Sequence, residues 1–480
     1  MEGLAAARER LKKIYDKSQI ADVGHALVDQ LSSYYARMQE EPSGLPWTEP
    51  QNLVLKAEQI LNSKNNNIRN LADTFLHTNN RLHSPHYMGH QVAASIPLAG
   101  LFEMLGATTN QASGLYEMGP LPSAVDRALS NKMGQMIGWK DGTFDSISTH
   151  GGSLANLTAL LAARNHHYPQ FWKKGFASVN GIPTIAVSRD AHYSIKRAAG
   201  ILGLGEDAVL ALPLDEKRRV DIQKSKAVMS DAKAKGRDIF CVIASSGSTP
   251  FGAFDSVGEM AELARSFKAW LHVDGAHGMG LLFSETHREK LRGIEKADSI
   301  TWDAHKMMFV PALCTFVFYR DKAMGLKAFQ QDAPYLFDAN NPTAEFDSAT
   351  RAFECTKRSL TMGLWATWSM YGAQVFGDLV DVTCGTAQRF FEILSASDDF
   401  KPLHRPESNI LCFRYLPLPN SSQKKLRRRV IEGGKFYLTS TVLDGEECLR
   451  VVVMNPLIEE KHLLGLLDEI RAQSRSESPR

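Results

Sequence analysis

The chain has 480 residues, 44% hydrophobic and 22% charged, an ordinary globular composition long enough for two or three domains. With 55 basic against 53 acidic residues the formal charge is +2, which gives no electrostatic case for nucleic-acid or membrane binding. Six cysteines (Cys241, Cys314, Cys355, Cys384, Cys412 and Cys448) show no CxxC spacing, so they read as reduced packing residues rather than a disulfide framework or zinc site, and no metal is expected.

The N-terminal stretch MEGLAAARERLKKIYDKS is charged and helical. It lacks the apolar core of a signal peptide, and no run of about 18 apolar residues follows, so a cytoplasmic protein is expected. Residues 1 to about 40 alternate apolar and charged side chains at helical spacing (Leu4, Leu11, Ile14, Tyr15). A break over Glu41–Pro46 precedes a second helical stretch to about Leu76. This segment has too little continuous apolar surface for a core of its own and is expected to pack on another surface, such as a second subunit.

From about 95 to 375 the pattern repeats strand, glycine-rich turn, helix. Predicted strands are Ile182–Ser188, Ile239–Ser245, Trp270–Asp274, Ser299–Trp302 and Cys314–Arg320. They are short, apolar and partly β-branched, as buried parallel strands are. Helices are predicted at Ser153–Arg164 and Val257–Phe267. The alternation predicts an α/β fold, a mostly parallel central sheet with helices on both faces, whose ligands collect at the carboxyl ends of the strands. Beyond about 385, Asn409–Tyr415 and Leu449–Met454 read as strands and Glu459–Ala472 as a closing helix. The domains are therefore drawn as an N-terminal helical segment (1–95), a large domain (96–380) and a small α+β domain (381–480). The terminal SRSESPR is expected to be disordered.

Several short runs could carry chemistry. In Ser148-Thr149-His150-Gly151-Gly152-Ser153-Leu154-Ala155-Asn156, two glycines and a serine open a helix whose free N–H groups could bind an anion, or Ser153 simply caps it. In Leu271-His272-Val273-Asp274-Gly275-Ala276-His277-Gly278, an aspartate ends an apolar strand and needs a cationic or N–H partner. A protonated cofactor ring nitrogen would serve, with Ala276 leaving room for a flat ring; a capping role in a tight turn is the alternative. His192, after Ile182–Ser188, could stack on an aromatic ligand or be structural. The turn 245–255, with Thr249, could donate hydrogen bonds or be a polar loop. Finally Asp303-Ala304-His305-Lys306 lies between two apolar runs. A lysine there is costly unless the site uses it, as a Schiff-base lysine does, or unless it snorkels to solvent. An anion site, a stacking ring, an acid and a lysine after successive strands are what pyridoxal phosphate requires.

On these motifs the chain, from about His83 to Pro456, resembles the group II pyridoxal-phosphate-dependent amino-acid decarboxylases, which include glutamate, cysteine sulfinate, 2,4-diaminobutyrate and aromatic members. The resemblance implies fold type I, a large cofactor-binding domain and a homodimer with the active site at the subunit interface. It implies that Lys306 is the Schiff-base lysine, with His305 helping to hold the cofactor. Asp274 would pair with the ring nitrogen, Ala276 and His192 would flank the ring, Gly152 and Ser153 would bind the phosphate, and Thr249 would lie near the ring substituents. Pro334-Tyr335-Leu336-Phe337 resembles the family's mobile catalytic loop, which makes Tyr335 the proton donor to the α-carbon, serving its own or the neighbouring site. Leu449–Pro456 resembles the segment whose arginine, here Arg450, holds the substrate α-carboxylate. The stretches His83–Gln91, with His86 and Tyr87, and Leu115–Pro120, with Glu117, are similar to substrate-side loops of the diaminobutyrate-type subgroup. Two departures stand out: His277 follows Ala276 where the family more often has an aromatic residue, and Asp303 stands where some members carry asparagine. The implied reaction is decarboxylation of an L-amino acid to the amine and carbon dioxide. A small polar or acidic substrate is favoured by His83, His86 and His90; diaminobutyrate, with Glu117 as ammonium partner, comes next and an aromatic amino acid third. An oxidative deaminase or aminotransferase on the same fold is the alternative chemistry.

Overall fold

The computed structural model describes residues 2–329 and 344–475. Tyr335 and its loop, and residues 476–480 of the SRSESPR tail, lie outside the described residues. The chain divides into two compact units. One takes the residues up to Gly89, Tyr415–Val451 and those from Leu457 onward; the other takes His90–Arg414 and Val452–Pro456. The helix Gln374–Ser395 runs without interruption across position 380, where the texture of the sequence changes, and residues up to Arg414 belong with the larger unit.

The larger unit is built on a seven-stranded sheet. Its strands are β1 (Asp145–Thr149), β2 (Ile182–Ser188), β3 (Val209–Leu212), β4 (Arg237–Ser245), β5 (Trp270–Asp274), β6 (Ser299–Asp303) and β7 (Thr315–Tyr319). They lie in the order β1-β7-β6-β5-β4-β2-β3. Pairings from β6 through β5, β4 and β2 to β3 are parallel. The strand β7, expected among the parallel ones, runs antiparallel to both β6 and β1. Residues 304–314 are all that connect it to β6, and a parallel return needs a crossover of a dozen or more residues.

Strand periodicity explains the two cores. Along β2, Ile185 and Val187 join one apolar cluster while Ala186 joins the other; along β7, Phe316 and Phe318 oppose Val317 and Tyr319. Successive side chains point to opposite faces, and both faces are apolar, so both must be covered. Ala155, Ala159, Leu160 and Ala163 of helix α1 (Gly152–His167) cover one. Val257, Met260 and Leu263 of the helix Val257–Ser266, with Val125, Leu129 and Met133 of Pro120–Ile137, cover the other. The parallel strands consequently end on one side, and the loops after β1, β2, β4, β5 and β6 gather there.

In the smaller unit, helices Glu2–Ile14, Lys17–Glu40, Pro50–Asn62 and Ile68–Thr78 form the N-terminal segment. Asp16 caps the second by accepting from the Ser18 N–H (2.9 Å), and Asn67 caps the fourth by accepting from Asn70 (2.9 Å). Leu4, Leu11, Ile14 and Tyr15 are exposed, in keeping with a segment that has little core of its own. Tyr87–Met88 pairs parallel with Tyr437–Leu443, which turns back antiparallel onto Glu446–Val452. The turn is the pair Asp444-Gly445, both at positive φ (51° and 84°), the two-residue geometry that suits the twist of a hairpin.

Asp255 ties the end of β4 to the turn that follows it. Its carboxylate accepts from the N–H groups of Ser245 (2.7 Å) and Val220 (2.8 Å). Burial pushes its pKa up to about 6 despite those donors. Asp255→Ala leaves two buried N–H groups without acceptors, at about 1–3 kcal/mol each. Urea unfolding should show a loss of about 2–4 kcal/mol; a loss below about 0.5 kcal/mol would contradict this.

Candidate active site

At the carboxyl ends of the strands lies a cavity of about 270 Å³. Its lining brings together Gly152, Ser153, His192, Thr249, Asp274, Ala276, His305 and Lys306, all of the residues that the resemblance assigns to the cofactor. His150, Asn156, Ser248, His277, Asp303 and Leu313 join them. Among the described residues no group of three or more His, Cys, Asp or Glu side chains is placed to hold a metal ion.

The phosphate end follows from the start of α1. Gly151, at φ 96°, is the residue that caps this helix, and no side chain caps it. Ser153 therefore stands inside the first turn rather than closing it. The N–H groups of Leu154 and Ala155 turn back to the Gly151 carbonyl (3.1 and 3.2 Å), which leaves those of Gly152 and Ser153 for an anion. A Cβ on residue 152 would come within 2.9 Å of the Asp303 carboxylate, so only glycine lets the chain pass there.

The lysine meets that same carboxylate. Lys306 Nζ is 3.0 Å from Asp303 Oδ2, and His305 Nε2 is 3.6 Å from the same oxygen. The Thr315 hydroxyl, from β7, donates to Asp303 Oδ1 at 2.7 Å. Burial raises the Asp303 carboxyl, but Lys306, His305 and the Thr315 hydroxyl outweigh it and hold its pKa below the usual carboxylate value. The antiparallel return of β7 thus adds a hydroxyl donor to the larger influence of Lys306 and His305 on this buried acid.

Asp274 ends β5 with its two oxygens in different company. Oδ1 accepts from the Ala276 N–H (3.3 Å), and Oδ2 accepts from the Asn156 side-chain amide (3.0 Å). The same amide nitrogen donates to Ser194 Oγ (3.1 Å), and Ser194 Oγ lies 2.8 Å from His192 Nδ1. Burial holds the His192 pKa down, against the pull of Asp274. On the far side, His272 Nε2 meets Asn156 Oδ1 at 3.1 Å. His277 is also buried, with Nε2 2.7 Å from Asn409 Oδ1. Because Asn409 uses its amide nitrogen on the Val453 carbonyl (2.8 Å), its oxygen faces the ring and His277 donates. Asn156, Ser194, His272 and Thr315 carried no assigned role in the sequence; their significance comes from register and helix position.

The remaining predicted residues lie elsewhere in the chain. Glu117 is exposed on the short turn Tyr116–Met118, outside the cavity lining. His86, Tyr87 and Arg450 belong to the smaller unit. There Arg450 is buried, with Nη1 donating to Thr439 Oγ1 at 3.3 Å. Tyr87 stacks on Tyr437 at 4.8 Å between ring centroids. His86 packs on Phe436, and burial, with His462 and Lys435 nearby, lowers its pKa to about 4.

The cavity fits pyridoxal phosphate in size and in donor set: open helix N–H groups for a phosphate, an imidazole and a small side chain to flank a ring, an acid for a ring nitrogen and a lysine for an aldehyde. Fold and site together define a fold-type I enzyme that uses this cofactor. The model of the pyridoxal-dependent decarboxylase conserved domain matches residues 47–416, more than half of the chain, and the chain belongs to that family. It is a pyridoxal-phosphate-dependent carboxy-lyase. Among solved structures it is similar to mouse CSAD (24% identity, TM-score 0.87, covering 95% of this chain and 99% of that one). It is similar to the glutamate decarboxylase domain of a Vibrio parahaemolyticus diaminobutyrate-pyruvate transaminase and L-2,4-diaminobutyrate decarboxylase (22%, TM-score 0.86, 98% and 99%). It also resembles Oryza sativa TDC, solved with PLP and tryptamine (20%, TM-score 0.87, 96% and 98%).

His272 supplies a pH test. Burial lowers its pKa from 6.5 to about 4, with Asp274 pulling the other way. The unfolded chain therefore binds a proton there more readily, so the stability gained from a neutral ring is full above about pH 6.5 and falls as pH drops toward about 4. Glutamine does not titrate. Between pH 7 and pH 5, His272→Gln should lose about 1–2 kcal/mol less unfolding free energy than the unaltered protein; equal losses in urea titrations would show that His272 is not held neutral.

Proposed function

We propose that this decarboxylase acts on a small polar or acidic L-amino acid, such as aspartate, glutamate or cysteine sulfinate, releasing the amine and carbon dioxide. The reaction reading rests on one observation, the gathering of Lys306, Asp303, Asp274 and His192 around a single cavity. When bound, pyridoxal phosphate supplies the electron sink that takes up the pair left by the departing carboxylate. Lys306 would carry the cofactor through its Nζ, with His305 beside it. Asp303, 3.0 Å away, would receive the lysine as an ammonium group whenever the substrate amine displaces it. The N–H groups of Gly152 and Ser153 would hold the phosphate. Asp274 would hold a proton on the ring nitrogen, His192 and Ala276 would flank the ring, and Thr249 would meet its substituents. Arg450 would grip the α-carboxylate, and Tyr335 would return a proton to the α-carbon.

The substrate preference is motivated by the histidines of 83–91. His86 is neutral near pH 7, so its part would be hydrogen-bond donation rather than charge pairing with a second carboxylate. Diaminobutyrate, with Glu117 as ammonium partner, is the next candidate and an aromatic amino acid the third. A homodimer with a shared active site, in which the N-terminal helices lie over the neighbour, completes the proposal.

Carbon dioxide release across a panel of amino acids tests it. The expected order is acidic substrates first, with simple amine as product; a preference for tyrosine or tryptophan would overturn the order, and aldehyde with hydrogen peroxide would show oxidative chemistry instead. Tyr335→Phe should lower amine formation by about a hundredfold or more if it is the proton donor; undiminished amine formation would remove Tyr335 from the mechanism.

A further inference from the structure

A buried hydrogen-bond chain runs from an indole N–H to two of the groups around the cofactor. Trp270, on β5, donates from Nε1 to Ser299 Oγ at 2.8 Å. An indole can only donate, so the serine oxygen accepts and its own proton is free for His272 Nδ1, also at 2.8 Å. His272 is fully buried. With Nδ1 accepting, its one ring proton sits on Nε2 and is given to Asn156 Oδ1 (3.1 Å). That contact and the Asp274 carboxylate, which can only accept, together set which end of the Asn156 amide faces the cavity. The nitrogen end does, and its two hydrogens go to Asp274 Oδ2 (3.0 Å) and Ser194 Oγ (3.1 Å). The Ser194 hydroxyl lies 2.8 Å from His192 Nδ1, which also accepts from the Ser194 N–H (3.3 Å) and so keeps its tautomer from its own turn. Asn156, Ser194 and Ser299 are, like His272, almost wholly buried, so water does not offer them substitutes.

We propose that His272, which does not line the cavity, is a positioning residue: through Asn156 it fixes the donor on Asp274, and so sets how firmly and in what protonation state the cofactor ring is held. The inference rests on the cofactor reading above. Without the His272 N–H, Asn156 Oδ1 is left buried without its ring donor and the amide is anchored from the Asp274 and Ser194 side alone. The amide nitrogen would then hold Asp274 less firmly where that acid faces the cavity.

The test uses the cofactor-loaded protein and two readouts other than turnover: the half-time of cofactor loss on dialysis, and the pH midpoint of the bound cofactor's visible absorbance. His272→Phe keeps a ring but has no N–H; His272→Gln keeps an N–H for Asn156. The phenylalanine variant should lose cofactor about tenfold faster or more and shift the absorbance midpoint by about one pH unit, as expected when a charge-assisted hydrogen bond to a half-buried acid is weakened. The glutamine variant should stay within about twofold of the unaltered protein. Trp270→Phe, at the far end of the chain of bonds, should move the absorbance midpoint in the same direction, and it decides the matter if His272→Phe does not fold. The proposal is overturned if both His272 variants behave like the unaltered protein, if both fail equally with equal falls in melting temperature, or if Trp270→Phe leaves the midpoint in place when His272→Phe does not fold. An unaltered protein with no visible absorbance would overturn the cofactor reading as well, which separates that failure from one of the network.

Discussion

Two carboxylates, Asp274 and Asp303, line one small cavity whose other wall is shaped to take an anion. Asp303 is buried and Asp274 half-buried, and an acid so placed needs donors or gives up its charge. The site resolves the conflict by treating the two acids differently. Asp303 is met by Lys306, His305 and Thr315, and is thereby kept ionised and occupied. Asp274 accepts instead from neutral groups, Asn156 and the Ala276 N–H, and no lysine or arginine meets it among the described ion pairs. Most other features of the site follow from keeping those two environments apart.

The sheet makes that separation possible. Because both of its faces are covered by helices, the strands are apolar along their length and the ionisable residues appear only where the strands end. Asp274 and Asp303 close neighbouring parallel strands, β5 and β6, so they arrive side by side. Helix α1 contributes at both its start and its second turn: its opening N–H groups are left open toward the cavity, while Asn156 reaches the acid. The antiparallel β7 adds Thr315 beside Asp303. Phosphate site, acid and lysine are thus consequences of a single register.

Much of this was legible in the sequence. The strands Ile182–Ser188 and Trp270–Asp274 have the bounds expected from their apolar runs, because short β-branched stretches between glycine-rich turns are strong local signals. The residues assigned to the cofactor converge because each follows a strand. Burial, however, does not single out the lysine. Lys306 has a side chain 20% exposed, whereas Lys357 is 2% exposed, with Nζ donating to the Ser148 carbonyl at 2.9 Å and a pKa lowered by burial. The neighbours of Lys306, not its own burial, identify it. The direction of β7 was missed because strand composition does not encode orientation; the length of the 304–314 connection does. The hairpin at Asp444-Gly445 went unassigned although an Asp-Gly pair between apolar runs is a recognisable turn. His272 and Asn156 lay inside motifs already singled out, but which face of a strand meets which turn of a helix is a tertiary fact.

The central claim is that Lys306, and no other lysine, holds the cofactor in this cavity. Borohydride reduction of the cofactor-loaded protein followed by peptide mapping measures this directly. The account predicts a phosphopyridoxyl group on the peptide carrying Lys306 and on no other, and none at all in Lys306→Ala. Labelling of a different lysine in the unaltered protein, or equal labelling after Lys306→Ala, would contradict it.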